Sequence, residues 1–136
     1  MTIDVRHDHV GITLAADMLE PTIAWYSDKL DYSLDLRFSA NGSTFTFLSN
    51  GDSKIELISA GAEAPTPMPS SLPATHDIQR LHHICLAVAD LNDVLARLGT
   101  RGVAPFAGPL QVDPIGQRIA FIVDNVGTII ELTAAI

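Results

Sequence analysis

Residues 9–14 read His-Val-Gly-Ile-Thr-Leu, residues 83–88 read His-Ile-Cys-Leu-Ala-Val, and the near-repetition of this stretch decides the fold. Each copy places a histidine at the head of an alternating apolar run, the period-two pattern of a strand with one buried face. Each is followed by an aspartate, Asp17 or Asp90, and then by apolar residues at helical spacing. Each half later contains an Ile-Glu-Leu: Ile55-Glu56-Leu57 and Ile130-Glu131-Leu132. The offset is 74 between the histidines, 73 between the aspartates and 75 between the glutamates. From His to Glu the chain runs 47 residues in the first half and 48 in the second. Matched spacing of this kind marks an internal duplication.

Working outward, each half reads as one βαβββ unit. The first strand covers 8–14. Asp17 with Glu20 resembles a capping box, and Pro21 suits a first helical turn. Leu19, Ile23, Tyr26 and Leu30 then define an amphipathic helix over 20–30. Strands are expected near 33–39, 43–49 and 53–59, with hairpin signals at Asn41-Gly42 and Asn50-Gly51-Asp52. In the second half the strand covers 81–88, and Asp90 caps a helix carrying Leu91, Val94, Leu95 and Leu98. Gly99 and Gly102 end it. Strands near 103–106, 117–123 and 128–133 follow, with Asn125-Val126-Gly127 as a turn. Residues 60–79 hold four prolines, 65, 67, 69 and 73, and read as a linker or flap. The expected organisation is one α+β domain over 1–136: module 1 (7–59), the linker (60–79) and module 2 (80–134).

Strand parity locates the chemistry. Alternate residues of a strand face opposite sides. Val10, Ile12 and Leu14 share one face, as do Ile84, Leu86 and Val88, while Ile55 and Leu57 flank Glu56 and Ile130 and Leu132 flank Glu131. If the aliphatics pack under a helix, then His9, Glu56, His83 and Glu131 all project from the other face. A carboxylate between aliphatic neighbours on a strand is costly without a partner. Two imidazoles and two carboxylates neutralise a divalent cation and leave positions for water or substrate, a set suited to Zn, Ni, Co, Fe or Mn. Other candidates stand outside this symmetry. His7 shares the parity of His9 but has no counterpart. His82 reads as facing the helix side or the strand edge. His76 lies in the linker, facing solvent or a substrate. Cys85 reads as a small pocket-lining residue. Phe45, Phe47, Phe106 and Phe121 could furnish an apolar cup or ordinary core, and Trp25 packs its helix.

Composition narrows the classes. The 136 residues carry eight basic and sixteen acidic side chains, a net charge of −8, and 47% are hydrophobic. That supports a single core and excludes a phosphate-tracking surface for nucleic acid. One cysteine excludes a disulfide framework and a Cys-based zinc cluster. The opening residues MTIDVRHDHV show no apolar signal segment, and no run approaches the ~20 apolar residues of a membrane span, so the expectation is a cytoplasmic protein with neither membrane nor nucleic-acid partner. No Ser-His-Asp order, P-loop or GxGxxG is present.

Paired βαβββ modules with HVGI, LHHICLAV, KIELI and TIIELT resemble the vicinal oxygen chelate superfamily, which includes glyoxalase I, methylmalonyl-CoA epimerase, extradiol dioxygenases, and fosfomycin and bleomycin resistance proteins. The likeness runs over residues 7–133. It implies a curved, cup-shaped mixed sheet, with one divalent metal held at the positions of His9, Glu56, His83 and Glu131. It also implies a small substrate that chelates the metal through adjacent oxygens. The metal would stabilise the charge formed when a proton leaves a carbon beside a carbonyl, with Glu131 or Glu56 as the catalytic proton shuttle. A fourth ligand at Glu56 favours the isomerase, lyase and epimerase pattern over the extradiol dioxygenase. A drug- or metabolite-binding protein is the other alternative. Thr13 and Ala60 stand where glutathione-dependent members carry Arg and Asn, and no basic cluster marks a coenzyme A site. Cups of this kind are often completed by dimerisation and sheet edges invite pairing, so a homodimer is expected.

Overall fold

A computed structural model of the chain describes residues 1–61 and 67–136. The order is β1 (Val10–Leu14), α1 (Leu19–Leu30), β2 (Ser33–Ala40), β3 (Ser43–Asn50) and β4 (Ser53–Ser59), then β5 (Ile84–Ala87), α2 (Leu91–Thr100), β6 (Ala107–Val112), β7 (Gln117–Val123) and β8 (Ile129–Ala135). The strands form two four-stranded mixed sheets of one topology, β1-β4-β3-β2 and β5-β8-β7-β6. This is the α+β duplication that the repeat predicts. In each sheet the first strand runs parallel to the last strand of its module, Gly11 opposite Glu56 and Cys85 opposite Glu131. The remaining pairings are antiparallel.

Parity holds where the site depends on it. Ile55, Leu57, Ile130 and Leu132 are buried in the core with Tyr26, Leu48, Leu91 and Leu98, and Glu56 and Glu131 between them are only half-buried. One hydrophobic cluster draws on both modules. Polar contacts add to it: the buried Tyr26 hydroxyl donates to Asp124 Oδ2 at 2.7 Å, Asn125 Nδ2 donates to Thr22 Oγ1 at 3.0 Å, and Arg101 donates to the Lys29 carbonyl at 3.0 Å. Helix α1 is therefore fastened to the β7–β8 turn and to the end of α2.

The strands expected over 8–14 and 81–88 are shorter, Val10–Leu14 and Ile84–Ala87, so that His9 and His83 stand just ahead of them. Local chemistry explains the ends of the other elements and three further departures from the sequence reading. Asp90 caps α2 through Asp93 N at 3.0 Å. The helix closes in a Schellman pattern, Val103 N to Leu98 O at 2.8 Å and Gly102 N to Gly99 O at 3.2 Å, with Gly102 at φ +80° where a Cβ would be strained. Asp17 makes no such cap: Ala16–Met18 form a 3-10 turn, and Met18 at the start of α1 has no side-chain cap bond. The strand expected at 103–106 begins instead at Ala107, because the Val103 amide is spent on closing α2 and Pro105 has no amide to offer a ladder. In the segment read as a linker, Pro73–Asp77 form a 3-10 turn; residues 62–66 of that segment lie outside the described residues.

Candidate functional site

The two strand-heading histidines meet the two glutamates one module at a time. Because β1 lies parallel to β4, His9, two residues before Gly11, swings its ring to Glu56, with Nε2 3.7 Å from Oε1. In the second module His83 Nε2 lies 2.8 Å from Glu131 Oε2. The surroundings are matched as well. Phe47, opposite Glu56, sets its edge against His9 at a ring separation of 5.5 Å. Phe121, opposite Glu131, does the same to His83 at 5.8 Å. Of the other phenylalanines, Phe45 stacks on Phe38 at 5.1 Å and Phe106 lines a separate small cavity with Trp25.

The four residues form two pairs rather than one cluster. Among the described residues, no three His, Cys, Asp or Glu side chains are grouped as a metal site would need. Both histidines line one cavity of about 860 Å³ together with His7, Cys85, Val10, Ile84 and Leu86, while Glu56 and Glu131 stand outside its lining. The donors fit a divalent ion in kind. Two ligands of one tetrahedral ion, each about 2.1 Å from it, stand roughly 3.4 Å apart. The observed separations of 2.8 and 3.7 Å fall on either side of that value.

The side chains that touch the far nitrogen of each imidazole differ between the modules. His9 Nδ1 donates to Asp8 Oδ2 at 2.7 Å. This hydrogen bond, helped by the Lys54 charge, holds the Asp8 carboxyl below the usual carboxylate range. His83 Nδ1 lies 2.9 Å from His82 Nδ1, and His82 Nε2 lies 2.7 Å from Thr75 Oγ1. His76 stands against the His82 ring at 5.1 Å. Desolvation first, then the neighbouring His83, His76 and Arg80, lower the His82 pKa. His82 thus does not face the helices. It turns toward the site, because Thr75 on the Pro73–Asp77 turn gives its far nitrogen a partner. Beside the carboxylates, Cys85 takes the place that Gly11 holds in module 1. Desolvation, then the charge and hydrogen bonding of Glu131, push its thiol up to about 11.

Sequence reasoning missed Asp8 and Thr75, and it set His82 on the helix side or the strand edge without a role at the site. Asp8 and His82 occupy the same position, one residue before each histidine, and the parallel is hidden because one is a carboxylate and the other an imidazole, alike only in being able to accept a hydrogen bond.

The sequence of residues 6–132 matches the Glyoxalase/Bleomycin resistance protein/Dioxygenase superfamily. The chain belongs to that superfamily. Solved structures share the fold across the chain. A glyoxalase family protein from Enterococcus faecalis is 21% identical, with 94% of this chain and 96% of that one covered and a TM-score of 0.74. A glyoxylase/bleomycin resistance protein/dioxygenase domain from Frankia sp. EAN1pec is 17% identical, with 98% and 100% covered and a TM-score of 0.76. TnmS3, an antibiotic-binding protein from Streptomyces sp. CB03234, is 18% identical, with 99% and 100% covered and a TM-score of 0.69. No curated protein matches the chain in sequence. The superfamily holds enzymes and binding proteins alike, and its members commonly use a divalent metal.

Proposed function

We propose that this superfamily member is a divalent-metal-dependent isomerase, lyase or epimerase. Its substrate would be small and would present two adjacent oxygens, with a proton moved at the carbon beside a carbonyl. The observation that carries the proposal is the pair of matched His–Glu contacts, His9 with Glu56 and His83 with Glu131, at equivalent places in two copies of one module. These four residues would hold the ion, which when bound supplies a Lewis acid for charge developing on a substrate oxygen. The rest is work for the protein. Phe47 and Phe121 wall the imidazoles with apolar surface, which strengthens the electrostatics of the site. Glu56 is the stronger candidate for the base. It stands farther from its histidine than Glu131 does, and the residue opposite it on β1 is Gly11, which sets no side chain against it.

A homodimer belongs to this reading. Strand β2 is an edge strand exposed along its length, with Leu34, Leu36 and Phe38 on it, and a second copy would cover that apolar row. No helix of the described residues is long and apolar enough to cross a membrane, and we take the protein to act in the cytoplasm.

The test is isotope exchange. Protein loaded in turn with Zn, Ni, Co, Fe and Mn is incubated in D2O with a panel of 2-oxo and 2-hydroxy carbonyl compounds and followed by NMR. Metal-dependent deuterium uptake at the carbon beside the carbonyl is expected, falling about 10²- to 10⁴-fold in Glu56→Gln with unchanged circular dichroism. Oxygen consumption with catechols would point instead to a dioxygenase. A second reading, a drug- or metabolite-sequestering protein, is favoured by one observation: the 860 Å³ cavity is bordered by many apolar side chains, Val10, Ile84, Leu86 and Val94 among them. Tight binding of an unchanged compound without exchange would select it.

A further inference from the structure

Each of the two site histidines makes a hydrogen bond from Nδ1 to the side chain that precedes it in the chain, Asp8 for His9 and His82 for His83. An ionised carboxylate has no proton to give, so Asp8 accepts and the His9 proton sits on Nδ1. An imidazole can give or take, so the direction at His82 is set farther out. Thr75 Oγ1 lies 2.5 Å from the Leu72 carbonyl oxygen and 2.7 Å from His82 Nε2. A carbonyl oxygen only accepts, so the single hydroxyl proton of Thr75 occupies that shorter contact. The hydroxyl oxygen is then left to accept from His82 Nε2–H. A neutral His82 protonated at Nε2 carries its lone pair on Nδ1 and accepts from His83. With His82 neutral, both site histidines are protonated at Nδ1. The Nε2 lone pair of His83 faces a carboxylate oxygen of Glu131 across 2.8 Å. That is a contact between two acceptors, made favourable only by a shared cation, either a proton or a metal ion.

We infer that Asp8 in one module, and Thr75 with His82 in the other, are positioning residues that fix the tautomer of His9 and His83 so that each Nε2 is free to bind a cation beside its glutamate. For what Nε2 binds, this rests on the metal-centre reading above; for the tautomer it stands alone. It also gives the segment between the modules a task. Thr75 belongs to the Pro73–Asp77 turn, and through His82 that turn steers a ligand-type side chain of the second module. Fixing the tautomer and ring orientation of a metal-binding histidine in this way is worth roughly 10- to 100-fold in metal affinity.

The experiment uses the full chain with ¹⁵N-labelled histidine, first metal-free and then with Zn²⁺ as the probe. Long-range ¹H–¹⁵N spectra report which nitrogen of each imidazole carries the proton, and ¹⁵N–¹⁵N coupling across the hydrogen bond reports the His82–His83 contact. Zinc affinity is measured by competition with a chromogenic chelator. The expected result is a proton on Nδ1 of both His9 and His83 in each state, with coupling between the two Nδ1 atoms of His82 and His83. In His82→Leu the Nδ1 signature of His83 is lost and zinc affinity falls roughly 10- to 100-fold. His82→Asn, whose side-chain oxygen can stand near the place of Nδ1, restores both. Thr75→Val moves in the same direction as His82→Leu, and Thr75→Ser restores the wild-type behaviour, which provides a second route should His82→Leu fold poorly. A neutral His83 protonated only at Nε2 in the wild type would overturn the inference, as would His82→Leu with wild-type tautomer and affinity. Wild-type protein that binds no zinc would remove the metal-centre reading, and the metal-free spectra would still decide this one by the same criterion.

Discussion

Gly11 and Cys85 occupy one position in the two modules, each opposite the site glutamate of its own sheet, and they give the two carboxylates unlike settings. Glu56 has no side chain set against it from Gly11, whereas Glu131 has a thiol beside it. Desolvation and the Glu131 carboxylate raise the Cys85 thiol to about 11, so the thiol stays protonated where an ordinary cysteine has ionised. Iodoacetamide should therefore modify native protein slowly through about pH 9 and faster only as the pH nears the folded value. Glu131→Gln should bring the onset to lower pH. The sign for stability follows: the unfolded chain gives up this proton first, so stability falls as pH rises between the ordinary thiol range and the folded value. At this scale period-two alternation in the sequence identifies the face from which Glu56 and Glu131 leave β4 and β8, and the repeated offset pairs each with a histidine just ahead of β1 or β5. The sequence was silent on Thr75, whose partner His82 is reached through a turn that no periodicity announces.

The two helices begin differently although the sequence offers an aspartate before each. Asp90 has extended backbone at the N-cap and accepts from Asp93 N, whereas Asp17 is taken up in a 3-10 turn and caps nothing. Asp90→Ala should cost about 1 kcal/mol, a fall of roughly 3–5 °C in Tm, while Asp17→Ala should stay within about 0.5 kcal/mol. Thermal unfolding followed by circular dichroism separates the two. A capping motif in sequence is thus only half a signal, since the backbone must also enter the helix from an extended residue at the right place: here the extended residue is Ala15, ahead of the 3-10 turn, and Met18 before α1 is already helical in backbone. The shift of β6 past 103–106 has a similar cause: one amide cannot both close a helix and serve a ladder, and the competition is invisible until Gly102 is seen to turn the chain. Where no such competition arose, as in β2, β3, β4 and β7, the strand positions read from Asn-Gly turns and alternation agree with the structure to within a residue.

For the whole molecule, duplication explains why two sheets of one topology exist, and a buried polar contact helps to tie them together. The Tyr26 hydroxyl on α1 donates to Asp124 of the β7–β8 turn across 98 positions of sequence. The other oxygen of Asp124 accepts from Val126 N at 2.9 Å and Thr128 N at 2.8 Å. Desolvation and the Asp124 charge raise the Tyr26 pKa well above its ordinary value, so this hydroxyl remains a donor. Tyr26→Phe leaves a buried carboxylate oxygen short of its donor and should destabilise the chain by about 1–3 kcal/mol in urea unfolding. The contact was not legible in advance, because it depends on how the modules dock and not on the pattern within either. The central claim, that the two His–Glu pairs together serve one divalent ion, is also a claim about that docking. Anomalous diffraction at the absorption edge of a bound metal tests it most directly. The account predicts one ion in contact with His9, Glu56, His83 and Glu131. An ion bound elsewhere, or none near these residues in crystals grown with excess Zn²⁺, Co²⁺ and Ni²⁺ in turn, would contradict it.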